Sequence, residues 1–555
     1  MCPRATGDAN MSLRILAFAL ILISAFCTRL LPLSISQYPF NNDSLTECGM
    51  ASEILDSGRL EFSSESSWYG SHSVDIPALN LVLAFISSVF GVSPLQCAQL
   101  LIAVVSLVTV GAVYLLGRMM SRSHVGGIVA GLTSVLMGTF VFATGSVWKE
   151  SLGLCLVILL VTLYLKRDRL RYVSVVIAIL FVLPLVHHLA TAVSLLILVF
   201  LLVRSWHFAL SKNTLRRRHW NELLVVSGAI VWAVGYYLFT SLDRLSLLTT
   251  GATVLLLPLS FGILVVLSVL VESIKTHSGF TYAPLVGVGV FSFVVVDYLG
   301  YVFPYSPSAP SYYLILAGVS AFFVGIAWYG AEIAVEVIRT YCTVQIGLLV
   351  APATVVGVGI VGGFSGAAHQ IVFRSFDFLD IFVFVGIAVA LATMQRKRKR
   401  SYTAIGFLIT AALVVSFPFA YYSDPLLGVR HDTQGYEVDT ISWVSDADTG
   451  GYVVSDERIA YIAMSMFGYP KSSYLPSEIL KNTSLTEMVP GSYFLFEMNW
   501  VTGGVNDYPR GKVTIPASNF TLAIESGNSL YVGGPPADHI IVAAASSIGY
   551  VMVYP

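Results

Sequence analysis

The sequence predicts a polytopic α-helical membrane protein. It has about thirteen transmembrane helices and a small external C-terminal domain of α/β or β-rich type. Three observations carry this. The 555 residues are 56% apolar and only 11% charged, where a soluble globular chain is nearer a quarter charged. Apolar runs recur up to about residue 421, most of them long enough to cross a ~30 Å hydrocarbon core and several near or below that limit at 15–16 residues. Beyond that point Gly, Ser, Asn and Pro rise, and short β-type runs appear ("GGYVVS", "GSYFLFEM", "HIIVAAA").

Arg4 and Arg14 precede a first apolar run from Ile15 to Leu33, which reads as a retained span or signal anchor. The expected spans are 13–33, 96–117, 124–143, 150–165, 172–186, 189–203, 223–240, 250–271, 281–303, 312–337, 341–363, 378–394 and 402–421. A further run, "IPALNLVLAFISSVFGV", is assigned differently. If it does not cross, about twenty bases fall on the inner side, "RKRKR" at Arg396–Arg400 among them. Only Arg29, Arg59, Lys149, Arg244 and Arg374 then fall outside before the tail. If it did cross, every later basic loop would flip outward. The run is therefore expected to lie in the outer interface as an amphipathic helix.

These assignments give a transmembrane region of residues 1–422, with an external loop at 34–95 carrying interfacial helices. An external domain follows at 423–555. The N-terminus is expected in the cytoplasm and the tail outside, on a multi-pass protein of the plasma membrane. Net charge is −1, so no bulk attraction to nucleic acid is expected. The six cysteines, Cys2, Cys27, Cys48, Cys97, Cys155 and Cys342, show no metal spacing and leave the tail without disulfides. Asn42, Asn482 and Asn519 stand in N-x-Ser/Thr triplets that face outward in this topology.

Chemistry is sought among outward polar groups near membrane ends, because an ionisable group within hydrocarbon costs about 2.5–3.5 kcal/mol. Asp43 follows the first span and opens a helix-prone stretch. Within it Ser44 and Glu47 have capping-box spacing, and Gly58 is a stop. Lys149 and Glu150 open the fourth span. The local sequence is equally served if these acids only complement a helix dipole. His187 and His188 are adjacent and so point to different helix faces, which makes a shared metal a poor fit. The loop "GFSGAAHQIVFRSFDFLD" holds His369, Arg374, Asp377 and Asp380, and Arg374 suits either a lipid phosphate or Asp377.

The layout resembles the GT-C glycosyltransferase superfamily: one span, a long acidic external loop, about a dozen further spans and an external tail. It is most similar to the catalytic subunit of oligosaccharyltransferase. "NNDSLTECGMASEILDSG" matches the family's first external loop, which places Asp43 at the catalytic aspartate. "WYGSHSVDIPALNLVLAFISSVFGVSP", with His72 near its start, resembles the family's interfacial segment. "VYLLGRMMSRSHVGGIVAGL" resembles its turn between the second and third spans. "WKES" stands at the second acidic motif, so Glu150 is the counterpart and Lys149 replaces an expected acid. The WWDYG motif that reads the acceptor in oligosaccharyltransferases is absent.

The resemblance implies transfer of a sugar from a polyprenyl-phosphate donor to a glycan, lipid or protein acceptor, with inversion. Asp43 acts there as catalytic acid/base and Glu150 beside it. Lys149, Arg374, His187 and His188 meet the donor phosphate, and His72 and His369 belong to acceptor or loop contacts. A divalent metal (Mg or Mn), if bound, would sit on Asp43 and Glu150. Two other classes stay open on the sequence: a transporter or lipid flippase, favoured by Asp297 and Glu332 deep within spans, and a non-catalytic scaffold of the same fold.

Overall fold

The computed structural model describes residues 5–41, 43–60, 76–166, 170–214, 216–240, 313–337, 339–361, 366–397, 399–421, 432–447, 452–469, 474–482, 492–497, 499–502, 505–507, 511–525, 528–533 and 540–544, with isolated positions between 258 and 266. The expected span at 281–303, all but isolated positions of the one at 250–271, Asp297, Asn42 and His72 lie outside the described residues.

The protein is helical and built for a membrane. Among the described residues five helices are long and apolar enough to cross: Met11–Ser34, Pro94–Ser121, His188–Ser211, His219–Thr240 and Arg374–Arg396. A bent pair, His124–Leu136 and Gly138–Gly145, makes a sixth if taken as one span. The first helix, α1 (Ala5–Leu30), rises about 39 Å. It turns Leu13, Leu16, Leu20 and Ile23 outward, as a lipid-facing side requires.

The expected span at 124–143 is broken. The two pieces, His124–Leu136 and Gly138–Gly145, meet at 72°. The bend frees backbone carbonyls at the end of the first piece. Arg29 supplies the partner: it is fully buried, and its Nη2 donates to the Ser134 carbonyl at 3.0 Å and to Thr144 Oγ1 at 2.8 Å. Arg29 was expected among the outer-face bases, and it is instead consumed inside the bundle. Gly138 lies just past the break because a Cβ there would stand 2.1 Å from the Ser416 carbonyl oxygen.

In chain order the elements that position the site are α2 (Asp43–Ser57), α3 (Ala78–Phe90), α4 (Pro94–Ser121), α5 (His124–Leu136), α6 (Gly138–Gly145) and α7 (Lys149–Tyr164). Helices α8 (Leu170–Val186), α9 (His188–Ser211), α10 (Arg217–Thr240), α11 (Tyr313–Val337) and α12 (Arg339–Val361) follow. Helix α3 comes from the run withheld from the span count. Its 13 residues rise only about 20 Å, too short to cross. Leu79, Leu83 and Ala84 pack on Cys48 and Ala51 of α2, while Phe85, Val89 and Phe90 stay exposed. That split suits a helix lying along an interface.

The central helix, α13 (Gly366–Lys397), is apolar on every face from Ile381 to Ala392, and 83% of its most apolar window is buried. An all-round apolar helix belongs inside a bundle. It starts at Gly366, so the segment expected as a loop around Arg374 is helical instead. Helix α14 (Lys399–Ser416) completes this part.

The tail holds helices α15 (Gly435–Ala447) and α16 (Glu457–Phe467) beside a four-stranded sheet. The sheet contains β1 (Val453–Val454), β2 (Tyr493–Glu497), β5 (Asn528–Gly533) and β6 (Ile540–Ala544), in the order β1-β2-β6-β5. The first pair is parallel and the others antiparallel. β3 (Val505–Asp507) and β4 (Gly511–Val513) form a separate antiparallel pair. Leu45 of α2 is buried among Ile441, Ile459 and Ile462, so the loop helix that carries Asp43 is also part of the tail's core.

Candidate active site

The backbone before Asp43 is fixed by one side chain. Gln99, in an early turn of α4, accepts from the Phe40 N–H at 2.9 Å through Oε1. Its Nε2 donates to the carbonyls of Arg29 (2.7 Å) and Gly145 (2.8 Å). The Val147 N–H donates to the Phe40 carbonyl at 3.0 Å. One buried amide thus ties the end of α1, the approach to Asp43 and the approach to α7 together.

Asn41 has φ 97, a left-handed conformation that Asn tolerates better than most residues. Its Oδ1 accepts from the Asp43 N–H at 2.9 Å. The helix therefore starts at Asp43, and Asn41 serves its N-terminus. The capping box expected from Ser44 and Glu47 does not form: Ser44 Oγ donates to the Pro39 carbonyl at 2.9 Å. Glu47 is released for other contacts, on the same helix face as Asp43 because the two are four residues apart.

The charged groups converge. Arg374 Nη2 lies 3.7 Å from Asp43 Oδ2, and Arg374 Nε lies 3.7 Å from Glu150 Oε2. The guanidinium also stands over the Trp148 ring, 5.1 Å from its centroid, in cation–π range. Trp148 is held by its indole N–H, which donates to the Ala143 carbonyl at 2.8 Å. Lys149 Nζ is 3.5 Å from Glu47 Oε1. Asn80 of α3 donates to the other Glu47 oxygen at 2.6 Å. The Glu150 side chain is fully buried, whereas Asp43 is 39% and Arg374 30% exposed. The accessible acid is therefore Asp43.

Burial raises the Glu47 carboxyl above its ordinary range; Lys149 and Asn80 oppose this and the Asp43 charge adds to it. Tyr461, on α16, faces the same cluster. Burial pushes its phenol up, the charges of Asp43, Glu457 and Glu47 act in the same sense, and Arg374 opposes them. Helix α16 is joined to α2 by Thr46 Oγ1 and Ser465 Oγ at 3.2 Å.

Of the residues singled out in the sequence, Asp43, Lys149, Glu150 and Arg374 come together, and Asp377, buried one turn from Arg374 on α13, joins them beside Glu150. His187 is buried one turn along α7 from Glu150. A Cβ on Gly153 would stand 3.1 Å from the His187 Cβ, so glycine lets the imidazole close on that helix. His188 is exposed, its ring centroid 4.9 Å from that of His187. His369 falls on the first turn of α13. Glu47, Trp148, Gln99 and Tyr461 were not expected here. The i,i+4 spacing from Asp43 was the available signal for Glu47, and an amide in the first turns of an apolar helix was the signal for Gln99. Nothing local marks Tyr461.

Both Glu150 carboxylate oxygens are buried without a hydrogen-bond partner, yet fixed cations already stand beside the acids a divalent metal would use. Arg374 lies against both Asp43 and Glu150, the two acids that would hold one, and Lys149 takes Glu47. Among the described residues no three His, Cys, Asp or Glu side chains have metal-holding geometry.

No family model and no curated protein sequence matches the chain. Solved structures do. The apo oligosaccharyltransferase of Archaeoglobus fulgidus is 13% identical with a TM-score of 0.54, covering 97% of this chain and 75% of that one. The archaeal oligosaccharyltransferase from the same organism, in complex with an inhibitory peptide and a dolichol-phosphate, is 12% identical at TM-score 0.54, with 97% and 75% covered. The A. fulgidus enzyme in complex with Zn and sulfate is 13% identical at TM-score 0.53, with 96% and 73% covered.

Proposed function

From a chain that has the fold of the GT-C membrane glycosyltransferases, we propose that it moves a sugar from a polyprenyl-phosphate donor to an acceptor hydroxyl on the extracytoplasmic face, with inversion. The observation that carries this reading is Arg374, which sits between an accessible acid, Asp43, and a buried one, Glu150. A related fold in complex with a dolichol-phosphate supports the donor class.

In this reading Asp43 accepts the proton of the acceptor hydroxyl. The oxygen attacks the anomeric carbon as the bond to the donor phosphate breaks. Arg374 is aimed at the phosphate oxygens where charge develops, in a partly dehydrated cleft where a fixed cation outweighs one in water. Trp148 and Glu150 hold that guanidinium in place, and Lys149 adds a second cation anchored by Glu47. His187 is a positioning residue behind α7. The N-terminus lies in the cytoplasm, and residues 423–555 form an external domain that covers the acceptor side through α16.

The test is transfer from a radiolabelled polyprenyl-phosphate sugar by purified protein in liposomes. Asp43→Asn is expected to fold and express normally while the rate falls by about 10²–10⁴. Unchanged transfer by that variant removes Asp43 from the mechanism.

A further inference from the structure

A second charged feature lies far from the acid cluster. Helix α4 has 28 residues, about 42 Å. Gln99 belongs to the acid cluster at one end of α4, so Arg118 and Ser121 stand at the other end of the bundle. There a hollow of about 540 Å³ opens, lined by Leu115, Arg118, Met119, Arg122, His124 and Lys166. Its walls come from α4, the start of α5 and the end of α7.

The charge in this hollow is one-sided. Arg118, Arg122 and Lys166 all line it, and no carboxylate does so among the described residues. Arg122 follows the last turn of α4 with φ 52, a left-handed conformation that side chains other than Gly and Asn seldom adopt. A fourth base fixes it: the Arg396 guanidinium donates to the Arg122 carbonyl at 3.1 Å. Like charges gathered at one place repel each other, and an anion among them removes that repulsion. The wall is not wholly polar. Leu115 and Met119 form an apolar flank, and Leu115 is 39% exposed on the surface that meets lipid. A cationic hollow with an apolar side wall fits an anion that carries a hydrocarbon tail. A small free anion would have no use for that wall. Basic pockets between helices at a membrane face bind phosphate head groups in this way.

We propose that this hollow binds the phosphate head group of an anionic membrane phospholipid, at the membrane face opposite the acid cluster.

Native mass spectrometry of the full chain tests this, with delipidated protein re-exposed to mixed micelles of phosphatidylglycerol or phosphatidylcholine. The wild type is expected to retain a single phosphatidylglycerol in preference to phosphatidylcholine. Arg122→Gln with Lys166→Gln is expected to weaken retention about 30-fold, the effect of two surface charges. Arg122→Lys with Lys166→Arg is expected to keep it, which separates lost charge from lost folding. Millimolar inorganic phosphate is expected to leave the lipid in place. Equal retention of the two lipids, or full retention by the double glutamine variant, overturns the proposal. Displacement of the lipid by inorganic phosphate also overturns it, and assigns the hollow to a free anion.

Discussion

Arg374 Nη2 stands 3.7 Å from Asp43 Oδ2. The two residues lie more than three hundred positions apart, one opening helix α2 and the other near the start of the buried central helix. With Nε on Glu150 at the same distance, two nitrogens of one guanidinium each meet a different carboxylate. Lysine cannot match that fork. Arg374→Ala is expected to lower transfer by about 10²–10³, the usual loss for one preorganised charge donor. Arg374→Lys is expected to recover only part of it. Full activity in the lysine variant, measured at saturating donor, would reduce the role of Arg374 to simple charge.

Lys149 and Glu47 are a buried pair, with side chains 11% and 7% exposed. Removing one member of a buried pair strands the other. Lys149→Ala is expected to destabilise the protein by about 3 kcal/mol or more, read as a lower unfolding temperature in detergent. Adding Glu47→Gln to that variant is expected to restore much of the loss. If the single and double variants unfold at the same temperature, the pair does not hold the loop helix to α7.

The same pair sets a pH dependence. Burial lifts the Glu47 carboxyl above its ordinary 4.5, so the folded state holds that proton more tightly than the unfolded chain. The stability from this group is fully present below its unfolded value and is lost as pH rises through the raised folded value. Unfolding temperature scanned upward from pH 4.5 is expected to decline less steeply in Glu47→Gln than in wild type. Parallel curves would show that the carboxyl does not titrate over that window.

Much of this arrangement was legible in the chain. Asp43 and the Lys149–Glu150 pair stood out because each is an ionisable group at the edge of an apolar run, where retention has a cost. The helix Ala78–Phe90 is too short to cross, in keeping with the charge bias that left this run out of the span count. What the sequence hid was tertiary. Hydropathy ran smoothly across 124–143, and the break at Met137 depends on Ser416 approaching Gly138 and on Arg29 reaching in from another helix. Arg374 read as a loop residue because three glycines, at positions 362, 363 and 366, precede it, yet burial of the all-apolar segment after it extends the helix upward. Ser44 and Glu47 matched a capping box by spacing, but Asn41 capped the helix first. Tyr461 comes from the tail, and only packing of α16 on α2 brings it near Asp43.

The most direct test of the central claim, that fixed cations serve the departing phosphate, is the transfer rate of purified wild-type protein in liposomes before and after exhaustive chelation with EDTA. With Arg374 and Lys149 already engaging the acids, the expected result is transfer that continues at an unchanged rate. Transfer abolished by EDTA and restored by Mg²⁺ or Mn²⁺ would contradict it and show that a metal displaces Arg374 from Asp43 and Glu150 during turnover.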